Sequence, residues 1–159
     1  MGDLLGPLTA PDVAEVLALN ERHVELTAPL SADRLAYLGR VGQVERITVD
    51  GGFAGFVVTV PSGSSYDGSN FAWFTERYPR FAYLDRIVVH EDVRRQGLAS
   101  RVYDELELRP ATAPLLALEV NVDPPNEPSL AFHRGRGFID VGERDFDGHR
   151  VAMLVKRLG

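Results

Sequence analysis

The stretch with the clearest chemical spacing is Ile87-Val88-Val89, then Arg94-Arg95-Gln96-Gly97-Leu98-Ala99. The apolar triplet reads as the end of a buried strand. Leu98, Val102, Leu106 and Leu108 recur at helical spacing, which predicts a helix starting near Gly97. The first N–H groups of a helix have no partner inside it and carry the positive end of its dipole. A strand, a short polar turn and a helix opening on Gly97 and Ala99 therefore predict an anion site, with Gly97 allowing close approach to the backbone. Arg94 and Arg95 would add charge-assisted donors. The plainer alternative is a helix start bearing solvated arginines.

A second group of polar residues lies further along. The run Leu115 to Val122 predicts a buried strand with one apolar face, Leu116, Leu118, Val120 and Val122. Its other face reads Leu115, Ala117, Glu119 and Asn121, turning polar toward the C-terminal end. A carboxylate within a buried strand is costly unless paired or protonated. Glu119 is thus a candidate general base or one half of a salt bridge, with Arg86 or Arg134 as the other half. Asp85 shares a strand face with Tyr83 and Ile87; it is a candidate anchor for a cationic substrate or a partner for Arg86. Asn126 can cap the helix that follows. His23, His90 and His149 have no comparable context, and no spaced metal cluster is present.

The segment Pro61 to Pro79 is long for a loop and turns aromatic: Tyr66, Phe71, Trp73, Phe74 and Tyr78. Disordered loops are poor in aromatics, so its second half should pack. It is expected either as a short helix patching the core or as the wall of a small-molecule pocket, with Trp73, Phe74, Tyr78, Tyr83 and Asp85 meeting the substrate.

Composition bounds the reading. With 159 residues, 45% hydrophobic and 25% charged, one soluble globular domain over 1–159 is expected. A net charge of −6 argues against nucleic acid as partner, since that needs a basic surface. There is no cysteine, hence no disulfide, no thiolate metal site and no cysteine nucleophile. No stretch approaches the ~20 apolar residues of a membrane span. The N-terminal run does not resemble a signal peptide, so a cytoplasmic location without membrane partners is expected. A homodimer is compatible with the sequence, which leaves oligomeric state unread.

The elements that position these residues follow from periodicity and turn signals. Leu4 to Thr9 is a short strand; Thr9 or Asp12 caps a first helix carrying Val13, Val16 and Leu17; a second helix begins at Ser31 and stops near Gly39. Gln43 to Asp50 and Phe53 to Val60 form a hairpin at Asp50-Gly51-Gly52. Phe81 to Val89 is the central strand, and Arg109-Pro110 ends the helix after it. Ser129 to Arg134 is a short helix closed by Gly135 and Gly137. Phe138 to Phe146 and His149 to Leu158 form a last hairpin around Asp147-Gly148. The order predicts an α/β (α+β) fold, a mostly antiparallel sheet of six to seven strands with one parallel pair and about four helices.

Three ordered features resemble the GNAT acetyltransferases: Arg-x-x-Gly-x-Ala after Val-Val, the strand LALEV, and Asn126 with His133 seven residues on and Gly137-Phe138 four after that. The resemblance covers roughly residues 43 to 158. It implies the GNAT fold, with the parallel pair splayed at the acyl-CoA site, and acetyl-CoA as cofactor. It further implies N-acetyl transfer to a primary amine, favoured here as a small molecule because of the aromatic loop. A non-catalytic acyl-CoA-binding sensor is the alternative. By the same resemblance Ile87, Val88, Val89, Arg94, Arg95, Gln96, Gly97, Leu98, Ala99, Asn126 and His133 would bind the cofactor, and Glu119 and His133 would be catalytic. His133 stands where the family usually has tyrosine, and near pH 7.5 only about a tenth of an ordinary histidine is charged. It is therefore expected as a neutral partner of the cofactor rather than a strong general acid.

Overall fold

Two sharp reversals carry positive backbone angles at both central residues, Asp50 (φ 51°) with Gly51 (79°) and Asp147 (51°) with Gly148 (77°). This is the geometry that a right-twisted two-residue hairpin demands, and Asp-Gly adopts it at little cost. The hairpins they close are β2 (Gln43–Val49) with β3 (Gly52–Pro61), and β6 (Ile139–Phe146) with β7 (His149–Arg157). The other strands are β1 (Leu5–Pro7), β4 (Ala82–Val89) and β5 (Leu115–Asp123). Their order in the sheet is β1-β2-β3-β4-β5-β7-β6. The pair β4/β5 is parallel, and β1/β2, β2/β3, β5/β7 and β6/β7 are antiparallel. This computed structural model describes residues 3–93, 97–109 and 113–158. The chain divides into two compact units, residues 1–60 with 84–109, and residues 61–83 with 110–159.

In the first unit, α1 (Asp12–Arg22) buries Asp12, Val16 and Asn20, which lie four residues apart on one face. The two polar members are satisfied. Asp12 accepts from the Thr9 amide and hydroxyl, both at 2.8 Å, and from Arg46 at 2.9 Å. Burial alone would raise the pKa of this carboxyl; the Thr9 donors and Arg46 outweigh it, and the net shift is downward. Asp12 therefore sits inside the first turn, with Pro11 at the N-cap, rather than capping the helix itself. α2 (Ala32–Val41) is capped by Ser31, whose hydroxyl accepts from the Arg34 amide at 3.0 Å. It runs two residues past Gly39, because the Gly42 amide still bonds the Leu38 carbonyl. α4 (Leu98–Leu108) buries Leu98, Val102 and Leu106 of the predicted stripe, whereas Leu108, at its last turn, is exposed. Arg109, which ends it, pairs with Glu45 on β2 at 2.7 Å.

Gly55 sets how closely β3 can approach β4. Its φ is +153°, and a Cβ there would lie 2.2 Å from the Val88 carbonyl oxygen and 3.0 Å from the Val89 Cα. Beside it the His90 amide donates to the Ala54 carbonyl at 2.7 Å. A methyl group cannot enter without displacing the end of β4. Gly55→Ala is accordingly expected to cost about 1–3 kcal/mol in a denaturant melt, the usual range for overpacking. An unchanged midpoint would show that the strand end yields freely.

In the second unit, α3 (Ser69–Thr75) lies within the aromatic segment, giving five α-helices among the described residues rather than about four. Its burial of Asn70, Phe71 and Phe74 is tertiary in origin, since a seven-residue helix is too short to form alone. α5 (Glu127–Gly135) begins two residues earlier than its apolar spacing suggests. Asn126 caps it, accepting from the Ser129 amide at 3.3 Å, and Pro128 fits its first turn. Among the described residues no helix is long and apolar enough to cross a membrane.

Candidate active site

In the first unit the candidate residues lie on the end of β4 and the start of α4. Val88 and Val89 are buried and Ile87 is half-buried. A 3-10 turn (Glu91–Val93) follows. Glu91 is tied to the end of α1, accepting from Arg22 at 2.9 Å and contacting His23. The His23 bond and then Arg22 lower its pKa to about 2, against burial. Arg94, Arg95 and Gln96 lie outside the described residues. Gly97 is in the left-handed region at φ +70°, and among the described residues a Cβ built on it would meet nothing within 4 Å. The glycine is thus required by backbone angle, and the described residues leave space beside it. Leu98 is buried and Ala99 half-buried. The first intrahelical bond runs from Arg101 to the Gly97 carbonyl at 3.2 Å. The amides before Arg101 have no acceptor within the helix. A left-handed glycine with room beside it, opening an eleven-residue helix, fits a pyrophosphate.

Asp85 and Arg86 form a nearly buried pair on β4, Arg86 Nε donating to Asp85 at 2.7 Å. Arg86 also donates to the Asn20 side chain at 3.2 Å and the Ala28 carbonyl at 3.0 Å. Asn20 donates to the same carbonyl at 2.9 Å and accepts from Thr27 at 3.3 Å. Of the two roles open to Asp85, its geometry fills that of partner to Arg86, in a network that holds residues 27–28 to the strand. Asn20, four residues after Val16, was the visible signal: a polar residue on an apolar helix face.

In the second unit, Tyr83 sits opposite Ala117 in the parallel register, which puts Glu119 two residues on and on the same face. The Tyr83 hydroxyl donates to both carboxylate oxygens of Glu119, at 2.7 and 2.8 Å. Tyr83 is only 3% exposed, and Glu119 is half-buried. Of the two arginines expected to pair with Glu119, Arg134 binds Asp140 and Arg86 belongs to the Asp85 network.

The aromatic segment divides between surface and core. Phe74 is fully buried among Tyr78, Phe81 and Tyr83, so it supports a wall rather than forming one. Trp73 is half-buried, stacked under the Arg77 guanidinium at 3.7 Å. Trp73 lies against Gly142, where a Cβ would be 2.7 Å from the indole. Arg144 on β6 donates to Asn70 at 2.5 Å and Ser69 at 3.0 Å, fixing the start of α3. Gly142 and Arg144 carry no local signal; their roles depend on partners remote in sequence.

His133 is 6% exposed on α5. Its Nδ1 lies 2.7 Å from the Ser129 carbonyl, to which only a protonated Nδ1 can donate. Burial pushes its pKa below the ordinary 6.5 and Arg136 lowers it further, while the Ser129 bond acts in the opposite sense. The ring is therefore neutral at neutral pH, with the lone pair on Nε2. Because the unfolded chain takes up this proton first, the stabilising contribution of a neutral His133 is complete above about pH 6.5 and is lost as pH falls through the lower folded value. His133→Phe is expected to lower kcat about tenfold or less. A loss of about 10²–10⁴-fold, the size for a removed acid–base group, would make it the general acid.

The profile of the Acetyltransferase (GNAT) family matches residues 21–138. The solved structures that match include three of equal standing in fold. The ribosomal-protein-S18-alanine N-acetyltransferase of Escherichia coli is 23% identical with a TM-score of 0.67, covering 97% of this chain and 92% of its own. Ard1 of Thermoplasma volcanium is 18% identical at TM-score 0.71, covering 97% and 96%. The yncA protein of Salmonella typhimurium, solved with its cofactor acetyl-CoA, is 18% identical at TM-score 0.68, covering 98% and 93%. No curated protein matches the chain in sequence. The chain belongs to the GNAT acetyltransferase family: it has the GNAT fold, and it is an N-acetyltransferase that uses acetyl-CoA.

Proposed function

We propose that this enzyme acetylates a primary amine of a small molecule by direct attack on the thioester, with Glu119 accepting the amine proton. The observation that carries this reading is the carboxylate of Glu119, half-buried on β5 and held by the Tyr83 hydroxyl at 2.7 and 2.8 Å. When bound, acetyl-CoA supplies an activated acetyl group. The amides at the start of α4, with Arg94 and Arg95, hold its pyrophosphate, and the backbone of Ile87, Val88 and Val89 orients the pantetheine arm. Asn126 uses its side-chain oxygen as a helix cap, which leaves the role of amide donor to the cofactor for its NH2 group. His133, neutral, accepts through Nε2 and does not drive protonation of the leaving thiolate, which takes its proton from water. Trp73 and Tyr78 face the acceptor, and its small size is inferred from the aromatic density of residues 66–83. A mass-spectrometric screen with acetyl-CoA over small amines, amino acids and peptides with free N-termini tests this. Acetylation confined to peptides would replace the small-molecule acceptor by a protein one. Tight acetyl-CoA binding with no product from any amine would favour a sensor.

A further inference from the structure

Tyr83 touches Glu119 through geometry that a core tyrosine does not need for packing. Its ring is boxed by Tyr66 at 6.1 Å, Phe71 at 5.8 Å and Phe74 at 6.0 Å between centroids. Phe71 and Phe74 stand on α3, which Arg144 pins to β6 through Asn70 and Ser69. A boxed ring cannot swing, so its hydroxyl oxygen is fixed in place. That hydroxyl is shared between the two oxygens of Glu119.

We propose that Tyr83 is a positioning residue for the reaction, its hydroxyl fixing the Glu119 carboxylate in the orientation that receives the amine proton. The inference rests on the reading of Glu119 as base. One O–H engaging both oxygens holds the carboxylate in a single orientation. Donation to a carboxylate also favours its charged form, the form a base requires, and so opposes the effect of burial in the strand. On this account the aromatic segment acts as a socket: Tyr66, Phe71 and Phe74 hold Tyr83, and Tyr83 holds Glu119.

The test compares Tyr83→Phe with Glu119→Gln, using amine-dependent release of coenzyme A across pH, with thermal melts of both. Tyr83→Phe retains the ring and its socket and deletes one oxygen. Its kcat is expected to fall about ten- to a hundredfold, the loss of one hydrogen bond to a charged group. The KM for acetyl-CoA should not change, and the acid limb of the pH–rate profile should move to higher pH. A merely structural tyrosine would lower the melting temperature and leave that limb in place. Wild-type kcat and an unmoved acid limb in Tyr83→Phe, with Glu119→Gln inactive, would overturn the positioning role alone. Full activity in Glu119→Gln would remove the base and the positioning role together. Should Tyr83→Phe fail to fold, Phe71→Leu, which loosens the socket and keeps the hydroxyl, should give a milder shift of the same limb; no shift there would overturn the proposal.

Discussion

Glu119→Gln is expected to lower kcat by about 10²–10⁴-fold, the range for a general base, with acetyl-CoA affinity unchanged. The amide is nearly isosteric, so packing on β5 survives. It keeps an acceptor oxygen for the Tyr83 hydroxyl, which donates to both oxygens in the native pair. What it removes is the capacity to take a proton. An alkylammonium near pKa ~10 must lose a proton before attack, and a free carboxylate near ~4.3 is a weak acceptor for it. A water relayed through Glu119 would give the same mutational result. Activity within threefold of wild type would exclude Glu119 as the base.

The second large effect is expected at Gly97. Gly97→Glu should abolish detectable acetyl-CoA binding by calorimetry. The position combines φ +70°, which L side chains rarely adopt, with open space beside a helix N-terminus. A carboxylate there competes with the pyrophosphate for the same amides, and its own interaction with the dipole stabilises the unliganded helix. Gly97→Ala separates strain from charge: it should lower stability by about 1–2 kcal/mol for the left-handed angle and weaken binding less. Wild-type affinity in a folded Gly97→Glu protein would move the pyrophosphate elsewhere.

Where the sequence was legible, the signal was local. The Asp-Gly pairs at 50–51 and 147–148 marked hairpins because their left-handed angles are set by those residues themselves. The stripe Leu98, Val102, Leu106 marked α4 because helical period alone decides it. The parallel pair followed from a crossover helix between two apolar strands. What was not legible was long-range. The α3 helix is held by Arg144, some seventy positions away, and by a glycine at 142 that makes room for Trp73. A partner of Glu119 is a tyrosine on the neighbouring strand, chosen by register, where charge alone had suggested an arginine. Asp85 could be read either as a ligand group or as half of an ion pair, and only the position of Arg86 distinguishes them. His133 is legible as a departure from tyrosine, but its neutral state depends on burial and on the Ser129 carbonyl.

Acetyl transfer to an amine is the step on which every role assigned above depends. The chain has no cysteine, so a thiol reagent reports coenzyme A without background from the protein. Acetyl-CoA should release free thiol in step with N-acetylated product when a primary amine is present, and only at the hydrolysis rate when it is absent. Binding of acetyl-CoA with no amine-dependent thiol release across the whole amine panel would contradict it.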